Sequence, residues 1–202
     1  MTQTESLFLK MNNLEIVTLR KENITDFAKE RNLLLKKVKA GWVLFIDTDE
    51  VVTPELMDEI KRTINKVRTL NAFYIRRKII FLGKEIGEDK VLRLAKKGMG
   101  KWTRAVHETW HVSGKVGTLD GYIIHNTATS LHDYIEKMNN YSTLHAVENK
   151  KEGKHSNLFK IVVYPRLKFI QNLIDGRGLV FSLMQSFHSF LGWVKLWQLQ
   201  KE

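Results

Sequence analysis

The chain contains no cysteine and only two prolines among its 202 residues. Disulfides and cysteine-based metal sites are therefore excluded, and the absence of cysteine agrees with a reducing compartment. Acidic residues are also outnumbered, because 22 Asp and Glu stand against 33 Lys and Arg, which gives a net charge of +11 and a pI near 9.7. An excess of positive charge predicts an anionic partner, and nucleic acid, anionic lipid and nucleotide phosphates all qualify.

The signatures of common nucleic-acid-binding classes are missing as well. The sequence has no zinc-finger spacing, no aromatic motif of the kind that stacks on RNA bases, and no long basic tail. Short basic clusters at Arg76–Lys78, Lys96–Lys97 and Lys150–Lys151 instead favour a basic membrane-facing surface. The first ten residues do not have the pattern of a secretory signal, so a cytoplasmic location is expected.

Among the segments that are present, Gly41–Glu50 is the most informative. Five consecutive apolar residues, Trp42–Ile46, predict a strand buried on both faces, which is typical of the middle of a mainly parallel sheet. Asp47 and Asp49 follow at the carboxyl end of this strand, where open α/β sheets bind their ligands. Two such carboxylates suit Mg²⁺ or Mn²⁺ bridged to a diphosphate. Alternatively, they are only polar caps before the next helix.

The remaining pattern predicts an α/β fold. Thr25-Asp26 opens a helix whose apolar positions recur up to Val38, Thr53 caps a helix that begins at Pro54 and ends near Arg68, and Ser130 caps one that ends near Lys151. Strands are predicted at Leu14–Leu19, Asn71–Leu82, Val91–Leu94 and Tyr122–Ile124, with a turn at Asp120-Gly121.

The last part of the chain differs in composition. Residues 155–202 mix aliphatic and aromatic side chains with lysine and arginine, and Asp175-Gly176-Arg177-Gly178 separates two helical segments. Polar residues such as His188 and Lys195 favour amphipathic helices in a membrane interface over a transmembrane span, and Trp193 and Trp197 suit the headgroup level. A helical pair packed on the domain's own core or on a partner remains the alternative.

Several segments together resemble the family-2 glycosyltransferases of the GT-A fold, particularly bacterial enzymes that extend lipopolysaccharide core sugars. The similarity extends from about Leu14 to Leu199. Its strongest part is Trp42–Leu56, and the other matching segments, in order, are Phe27–Asn32, Arg76-Arg77, Phe81–Gly83, Leu92–Leu94, Ala105–Glu108, His125 and Asp175–Gly178.

The resemblance implies roles for particular residues. Asp47, Asp49 and His125 are expected to bind Mn²⁺ or Mg²⁺, and Glu108 to act as the catalytic base of an inverting transfer. Donor-binding residues are expected to be Arg31, Asn32, Asp47 and Arg93, and acceptor- or phosphate-binding residues to be Arg76, Arg77 and His107. Without the resemblance, the alternative for Arg31 is a solvent-exposed charge on a helix, and for Glu108 a surface salt-bridge partner. His125 would then be a structural residue, and the strand that contains Arg76 and Arg77 would be a solvent-facing edge strand.

The resemblance also implies an activity: transfer of a sugar from a nucleotide-diphosphate donor to a lipid-linked saccharide in cell-envelope glycan synthesis. The implied fold is a truncated, Rossmann-like GT-A mixed sheet at 1–154, followed by amphipathic helices at 155–202. It is called truncated because only about thirteen residues precede Leu14, where the family has its nucleoside-binding unit. A catalytically incomplete fragment, acting as a membrane-bound partner or as half of a split enzyme with a complementing chain, is therefore the alternative. The expected location is peripheral, on the inner face of an anionic cell membrane.

Overall fold

The computed structural model describes residues 7–20, 24–104 and 108–202. The prediction of an α/β fold with a mixed, Rossmann-like sheet and C-terminal helices is confirmed. In chain order the elements are β1 (Leu7–Met11), β2 (Leu14–Thr18), α1 (Phe27–Lys37), β3 (Trp42–Ile46), β4 (Glu50–Val52), α2 (Pro54–Lys66), β5 (Leu70–Phe81), β6 (Lys84–Lys96), β7 (Gly100–Thr103), β8 (Thr109–Val112), β9 (Lys115–Ala128), α3 (Leu131–Lys151), α4 (Leu158–Ile174) and α5 (Leu179–Leu199).

Seven strands form one sheet in the order β1-β2-β3-β6-β5-β9-β4, and β7 and β8 form a separate two-stranded sheet. Strand β3 is parallel to β2 and antiparallel to β6, and the edge strand β4 is antiparallel to β9. Strand β3 is buried along its whole length because hydrophobic clusters lie on both of its faces. Trp42, Leu44 and Ile46 belong to one cluster, and Val43 and Phe45 to the other.

The predicted helix starts are confirmed by their caps. The side chain of Asp26 accepts a hydrogen bond from the backbone N–H of Lys29, and Thr53 and Ser130 make the equivalent bonds at α2 and α3. These bonds satisfy N–H groups that the first helical turn leaves without a partner. Helix α1 contributes Ala28 and Leu34 to one hydrophobic cluster, and α2 contributes Leu56, Ile60 and Ile64 to the other.

One local prediction was wrong. Asp120-Gly121 is not a turn but lies within the 14-residue strand β9. The glycine is required by packing, because a Cβ at position 121 would lie 2.7 Å from the Cα of Leu56 in α2. Glu59 of α2 secures the same contact, since its carboxylate accepts the backbone N–H groups of Asp120 and Gly121 at 3.0 and 2.9 Å.

The chain divides into two compact units. The sheet unit comprises residues up to Ile79 together with Glu88–Asn126, and the helical unit comprises Ile80–Gly87 and Thr127–Glu202. The predicted boundary between residues 154 and 155 falls inside the helical unit and stays a prediction. The core of the helical unit contains Phe81, Ala128, Tyr134, Met138 and Phe181.

Helices α4 and α5 pack against each other, and α5 also packs against α3. Trp193 of α5 lies edge-on to Tyr164 of α4, with ring centroids 5.0 Å apart. Many large apolar side chains of these two helices are nevertheless exposed, namely Leu158, Phe159, Val162, Tyr164, Leu167, Ile170, Leu173 and Ile174 of α4 and Leu179, Val180, Leu183, Phe187 and Phe190 of α5. We call this set the apolar surface of the helical unit.

Within the described residues, no helix combines the length and the apolar character needed to cross a membrane.

Candidate active site

The candidate site begins where β3 ends. Asp47 follows the strand directly, and its backbone carbonyl accepts the N–H of Glu50 at 3.0 Å. A second hydrogen bond joins the same two residues, because Oε2 of Glu50 accepts the backbone N–H of Asp47 at 3.0 Å. This closed loop directs the two acidic side chains toward the neighbouring strands. The Glu50 side chain is fully buried, whereas that of Asp47 is 29% exposed.

Two arginines bind the Asp47 carboxylate, one on each oxygen. Arg31 of α1 donates through Nη2 to Oδ1 at 2.5 Å, and Arg93 of β6 donates through Nη2 to Oδ2. Arg31 is only 2% exposed, and its guanidinium lies 4.7 Å from the centre of the Trp102 ring. Arg31 is therefore a buried site residue rather than a solvated helix charge.

The ion pairs continue across β5 and β6. Oε1 of Glu50 accepts hydrogen bonds from Arg93 at 3.0 Å and from Arg77 at 2.9 Å. Arg77 also forms a bidentate pair with Asp89, at 2.9 and 2.7 Å. All three nitrogens of the Arg77 guanidinium thus contact carboxylates. We call Arg31, Asp47, Glu50, Arg77, Asp89, Arg93 and Glu108 the ion-pair network.

Burial and charge oppose each other at Asp47. Burial raises the pKa of a carboxyl group, but the positive charges of Arg93 and Arg31 outweigh it, so the pKa of Asp47 lies below its ordinary value. Burial likewise lowers the pKa of Arg93, yet Asp47 and Glu50 raise it overall. Both groups are therefore charged at neutral pH.

The predicted base, Glu108, belongs to the same network. Its Oε1 accepts a hydrogen bond from Arg31 Nε at 3.0 Å, and its side chain is 18% exposed. No hydrogen bond to its Oε2 is formed within residues 7–20, 24–104 and 108–202. Arg31 thus connects the carboxylate at the end of β3 with Glu108, which are 61 positions apart in the sequence.

Asp49 and His125 form a second, smaller pair. Strand pairing places His125 of β9 opposite Glu50 of β4, and His125 Nε2 lies 3.3 Å from Asp49 Oδ2. In the described part of the chain no group of three His, Cys, Asp or Glu side chains is close enough to hold a metal ion. One carboxylate oxygen and one imidazole nitrogen do fit Mn²⁺ or Mg²⁺ when substrate phosphates and water complete its coordination. The structure therefore brings two of the three predicted ligands, Asp49 and His125, together, and the metal site stays a prediction.

The other predicted residues lie elsewhere. The side-chain amide of Asn32 links α1 to the backbone of Trp102. Its Nδ2 donates to the Trp102 carbonyl at 2.8 Å, and its Oδ1 accepts from the Trp102 N–H at 3.0 Å. Arg76 pairs with Glu88 at 2.8 Å and lies over the Tyr122 ring. His107 lies outside the described residues. The sequence alone did not single out Glu50 or Asp89, because their partners come from different strands.

Two buried donors of the network have no partner in the part of the chain that the structure describes. They are Nη1 of Arg31 and Nε of Arg93. A buried N–H group without an acceptor is costly, whereas each guanidinium nitrogen of Arg77 donates to a carboxylate.

Comparison with known proteins gives the site a context. No protein-family model matches the chain. An uncharacterized glycosyltransferase of Rickettsia typhi is 29% identical over 183 residues, which cover 78% of this chain and 62% of the relative. An uncharacterized glycosyltransferase of Rickettsia prowazekii is 29% identical over 180 residues, 77% of this chain and 61% of the relative.

A third relative has a more specific name. The lipopolysaccharide core biosynthesis glycosyltransferase LpsC of Rhizobium meliloti is 22% identical over 187 residues, which cover 85% of this chain and 69% of LpsC. The chain spans about three fifths of the length of the two Rickettsia relatives. It is therefore similar to bacterial proteins named glycosyltransferases.

Proposed function

We propose that this chain is a metal-dependent, inverting glycosyltransferase of family 2 with a GT-A fold. It would transfer a sugar from a nucleotide-diphosphate donor to a lipid-linked saccharide acceptor in lipopolysaccharide or related envelope-glycan synthesis. The observation that carries the proposal is the buried ion-pair network at the carboxyl end of β3, with the Asp49–His125 pair beside it in the same loop and strand. The names of the relatives supply the reaction class.

In this proposal, Asp49 and His125 hold Mn²⁺ or Mg²⁺. Each Asp47 oxygen already accepts from an arginine, so Asp47 would join them only through its remaining lone pairs. When bound, the ion neutralises charge on the diphosphate leaving group. Arg31 and Arg93 attract the donor phosphates through the positive charge of their guanidinium groups.

Glu108 is the proposed base. Arg31 fixes one of its oxygens, and the other takes the proton of the acceptor hydroxyl. The acceptor oxygen then bonds to the anomeric carbon as the bond from that carbon to the diphosphate oxygen breaks, and the pair of electrons leaves with the nucleoside diphosphate. We expect Glu108→Gln to lose transfer and to retain donor binding.

The acceptor role of Arg76 and Arg77 is revised in this proposal. Because all three guanidinium nitrogens of Arg77 already contact Asp89 or Glu50, we assign Arg77 to organising the network and not to binding acceptor phosphate. Arg76 forms an exposed pair with Glu88 and remains the candidate for that contact. The role of Asn32 is likewise to hold Trp102 beside Arg31.

The helical unit supports a peripheral location on an anionic membrane at the cytoplasmic face. Its apolar surface comprises thirteen large exposed side chains on α4 and α5, two helices that pack against each other. Residues 155–202 also carry six basic side chains against two acidic ones, the basic ones being Lys160, Arg166, Lys168, Arg177, Lys195 and Lys201. Apolar area combined with positive charge is what binds interfacial helices to anionic lipid.

The experiment that tests the donor site is a titration of the purified chain with Mn²⁺, alone and with a panel of nucleotide sugars, followed by the EPR signal of free Mn²⁺. We expect the protein to bind Mn²⁺ more tightly when a matching nucleotide sugar is present. Asp49→Ala and His125→Ala should abolish this effect. Asp58→Asn is the matched control, because Asp58 is a surface residue of α2 whose side chain is 65% exposed.

Two outcomes would reject the proposal in different ways. Unchanged binding by Asp49→Ala would rule out the assigned metal pair. If the chain itself binds no donor but does so together with a second chain, the alternative of half of a split glycosyltransferase would replace it.

A further inference from the structure

Several elements of the sheet unit meet at the amino end of β3, which is the end opposite the ion-pair network. Helix α1 ends shortly before Trp42, the first residue of β3. Lys96 of β6 is the register partner of Trp42, and its Nζ donates to the backbone carbonyl of Arg68, just after α2, at 3.1 Å. The last turns of α1 and α2 and the end of β6 therefore lie together.

Two hairpin turns join the same end. The backbone N–H of Lys97 donates to the Gly41 carbonyl at 2.9 Å, and that of Ser113 donates to the Met99 carbonyl at 2.8 Å. The Asn71 side chain donates to the Ser113 carbonyl at 3.0 Å, so the turns are fixed to the sheet. We call the exposed basic and apolar side chains of this region the basic end, and they are Lys39, Lys66, Arg68, Lys97, Met99, Lys115 and Val116.

The charges of the sheet unit are segregated. In the described part of the chain, none of the five cations of the basic end forms an ion pair. The acidic residue nearest to them, Glu15, is buried, and its Oε2 accepts the backbone N–H groups of Lys39 and Ala40 at 2.6 and 3.0 Å. The other described acidic residues of the unit lie around the ion-pair network or in and beside the first halves of α1 and α2. One end of the unit therefore attracts an anionic partner.

Helix termini explain part of this charge and not the rest. Lys66 belongs to the last turn of α2, where a cation is favoured by the helix dipole. Arg68 lies beyond the end of that helix, and Lys97 and Lys115 lie beside hairpin turns. No helix end accounts for these three cations.

Apolar side chains among the cations favour a protein partner over nucleic acid. Met99 is 40% exposed and Val116 is 38% exposed. A sugar-phosphate backbone offers them no apolar contact, and the nearby rings of Trp42 and Phe73 are buried, so they cannot stack on bases. An acidic protein segment supplies carboxylates and apolar side chains together, and methionine adapts easily to such a surface.

The position of the transfer site disfavours a membrane as the partner of this end. The five-residue strand β3 places the basic end roughly 15 Å from Asp47. If the acceptor is lipid-linked, the membrane faces the carboxyl end of β3, and a flat bilayer does not also reach the opposite end of the same unit. This step rests on the proposed function, and it gives Lys97 a partner other than the membrane that its sequence cluster predicted.

We infer that the basic end docks an acidic segment of a partner protein. Carboxylates of that segment pair with the five cations, and its apolar side chains pack on Met99 and Val116. Complementary charge of this kind accelerates association and selects the partner. Because docking and transfer take place at opposite ends of the sheet unit, a bound partner leaves the loop of Asp47 and Asp49 open.

The experiment is a fluorescence-anisotropy titration of a labelled peptide of alternating glutamate and leucine residues with the full chain. We expect this peptide to bind and its glutamine–leucine counterpart not to bind. The double variant Arg68→Glu, Lys97→Glu should weaken binding roughly tenfold or more, because two exposed attractions become repulsions. The double variant Lys29→Glu, Lys90→Glu is the matched control, since it changes the net charge equally at exposed residues away from the basic end.

A second variant separates docking from general attraction between charges. Met99→Ser should weaken binding of the glutamate–leucine peptide roughly threefold, because it removes an apolar contact. It should leave binding of a polyglutamate peptide unchanged, since that peptide has no apolar side chain to lose.

Vesicles of phosphatidylglycerol and a thymidine oligonucleotide represent the other anionic partners. The inference is overturned if the acidic peptide does not bind or if the control pair weakens its binding equally. It is also overturned if Arg68→Glu, Lys97→Glu lowers vesicle partitioning or oligonucleotide binding more than peptide binding. Asp49→Ala should retain peptide binding. A chain that binds the peptide but no nucleotide sugar would therefore refute the transferase and leave the docking surface standing.

Discussion

The sheet unit and the helical unit depart from ordinary burial in opposite ways. In the sheet unit, charged side chains such as Arg31, Glu50 and Arg93 are buried, and carboxylates and guanidinium groups neutralise one another. In the helical unit, large apolar side chains such as Phe159 and Ile174 are 65% and 79% exposed. Buried ions and exposed apolar groups are both unfavourable by themselves.

The buried ions and the exposed apolar side chains differ in what can stabilise them. The buried ions are stabilised within the chain, because each carboxylate of the ion-pair network has an arginine partner. Nothing in the described part of the helical unit covers its apolar surface. This contrast agrees with our proposal that the sheet unit holds the reaction site and that the helical unit contacts a membrane. Four experiments test this contrast, and the largest expected effect comes first.

Removing one charge from the network should have the largest effect. Arg93→Ala leaves Asp47 and Glu50 without one of their cations, and we expect the free energy of unfolding to fall by about 3 kcal/mol or more. Urea denaturation measures this loss. Arg76→Ala is the control, because its pair with Glu88 is exposed on both sides and should cost far less. Equal losses for the two variants would contradict the distinction between a buried network and a surface pair.

Adding charge to the apolar surface should change association and not folding. The double variant Phe159→Glu, Ile174→Glu is expected to lower partitioning onto vesicles of phosphatidylglycerol roughly tenfold for each residue. Its denaturation midpoint should stay close to that of the wild type, because both side chains are exposed. Vesicle sedimentation gives the partition coefficient.

The control for this variant comes from the other unit. Leu9→Glu changes a 51% exposed residue of β1 and should leave vesicle binding unchanged. If the wild type does not bind phosphatidylglycerol vesicles, or binds neutral phosphatidylcholine equally well, the basic apolar surface is not a site for anionic lipid.

The same glycine substitution should have opposite effects in the two units. Gly121→Ala places a Cβ against the backbone of α2, and we expect a loss of about 1–3 kcal/mol from overpacking. Gly192→Ala in α5 meets only His145 Nδ1 at 3.7 Å, so the higher helix propensity of alanine should make it neutral or stabilising by up to about 1 kcal/mol. Thermal unfolding measures the stability of each variant relative to the wild type. A Gly121→Ala variant as stable as the wild type would refute the close contact of α2 with β9.

The smallest expected effect is a dependence on pH. The pKa of Asp47 is lower in the folded chain than its ordinary value, so its ion pairs contribute stability above that value and lose it as the pH falls through the folded pKa. The difference in urea midpoint between the wild type and Asp47→Asn should therefore be constant near neutral pH. It should shrink below about pH 4, where an unpaired Asp becomes protonated. A difference that stays constant down to pH 3 would show that Asp47 has no depressed pKa.

Local signals were good predictors of where the elements begin. Thr53 and Ser130 were predicted to cap helices and do so, and the helix predicted to open at Thr25-Asp26 is capped by Asp26. A cap depends only on residues three positions away. The apolar run Trp42–Ile46 was also sufficient to predict the buried strand β3. Strand lengths were less predictable, since the short strand predicted at Val91–Leu94 belongs to the 13-residue β6. Pairing with a neighbouring strand extends a strand through residues whose own pattern is polar.

The candidate site was predictable in part. The structure brings together Asp47, Arg31, Arg93 and Glu108, all of which the sequence had singled out through the family resemblance. Their roles in catalysis and donor binding stay predictions. The pairing of Arg77 with Asp89 and Glu50 and the stacking of Arg76 on Tyr122 were not predictable, because alternate residues of β5 point to opposite faces and the partners of each face come from distant segments.

The sequence by itself determined the buried strand, the acids that follow it, the caps of the helices and the basic, apolar character of the last fifty residues. These features depend on the order of neighbouring residues. Tertiary structure alone decided which charge pairs with which, that Gly121 is a packing contact and not a turn, and which apolar side chains remain exposed. Such properties arise only when residues far apart in the chain share one buried volume, where each ion needs a counter-ion and each added atom needs space.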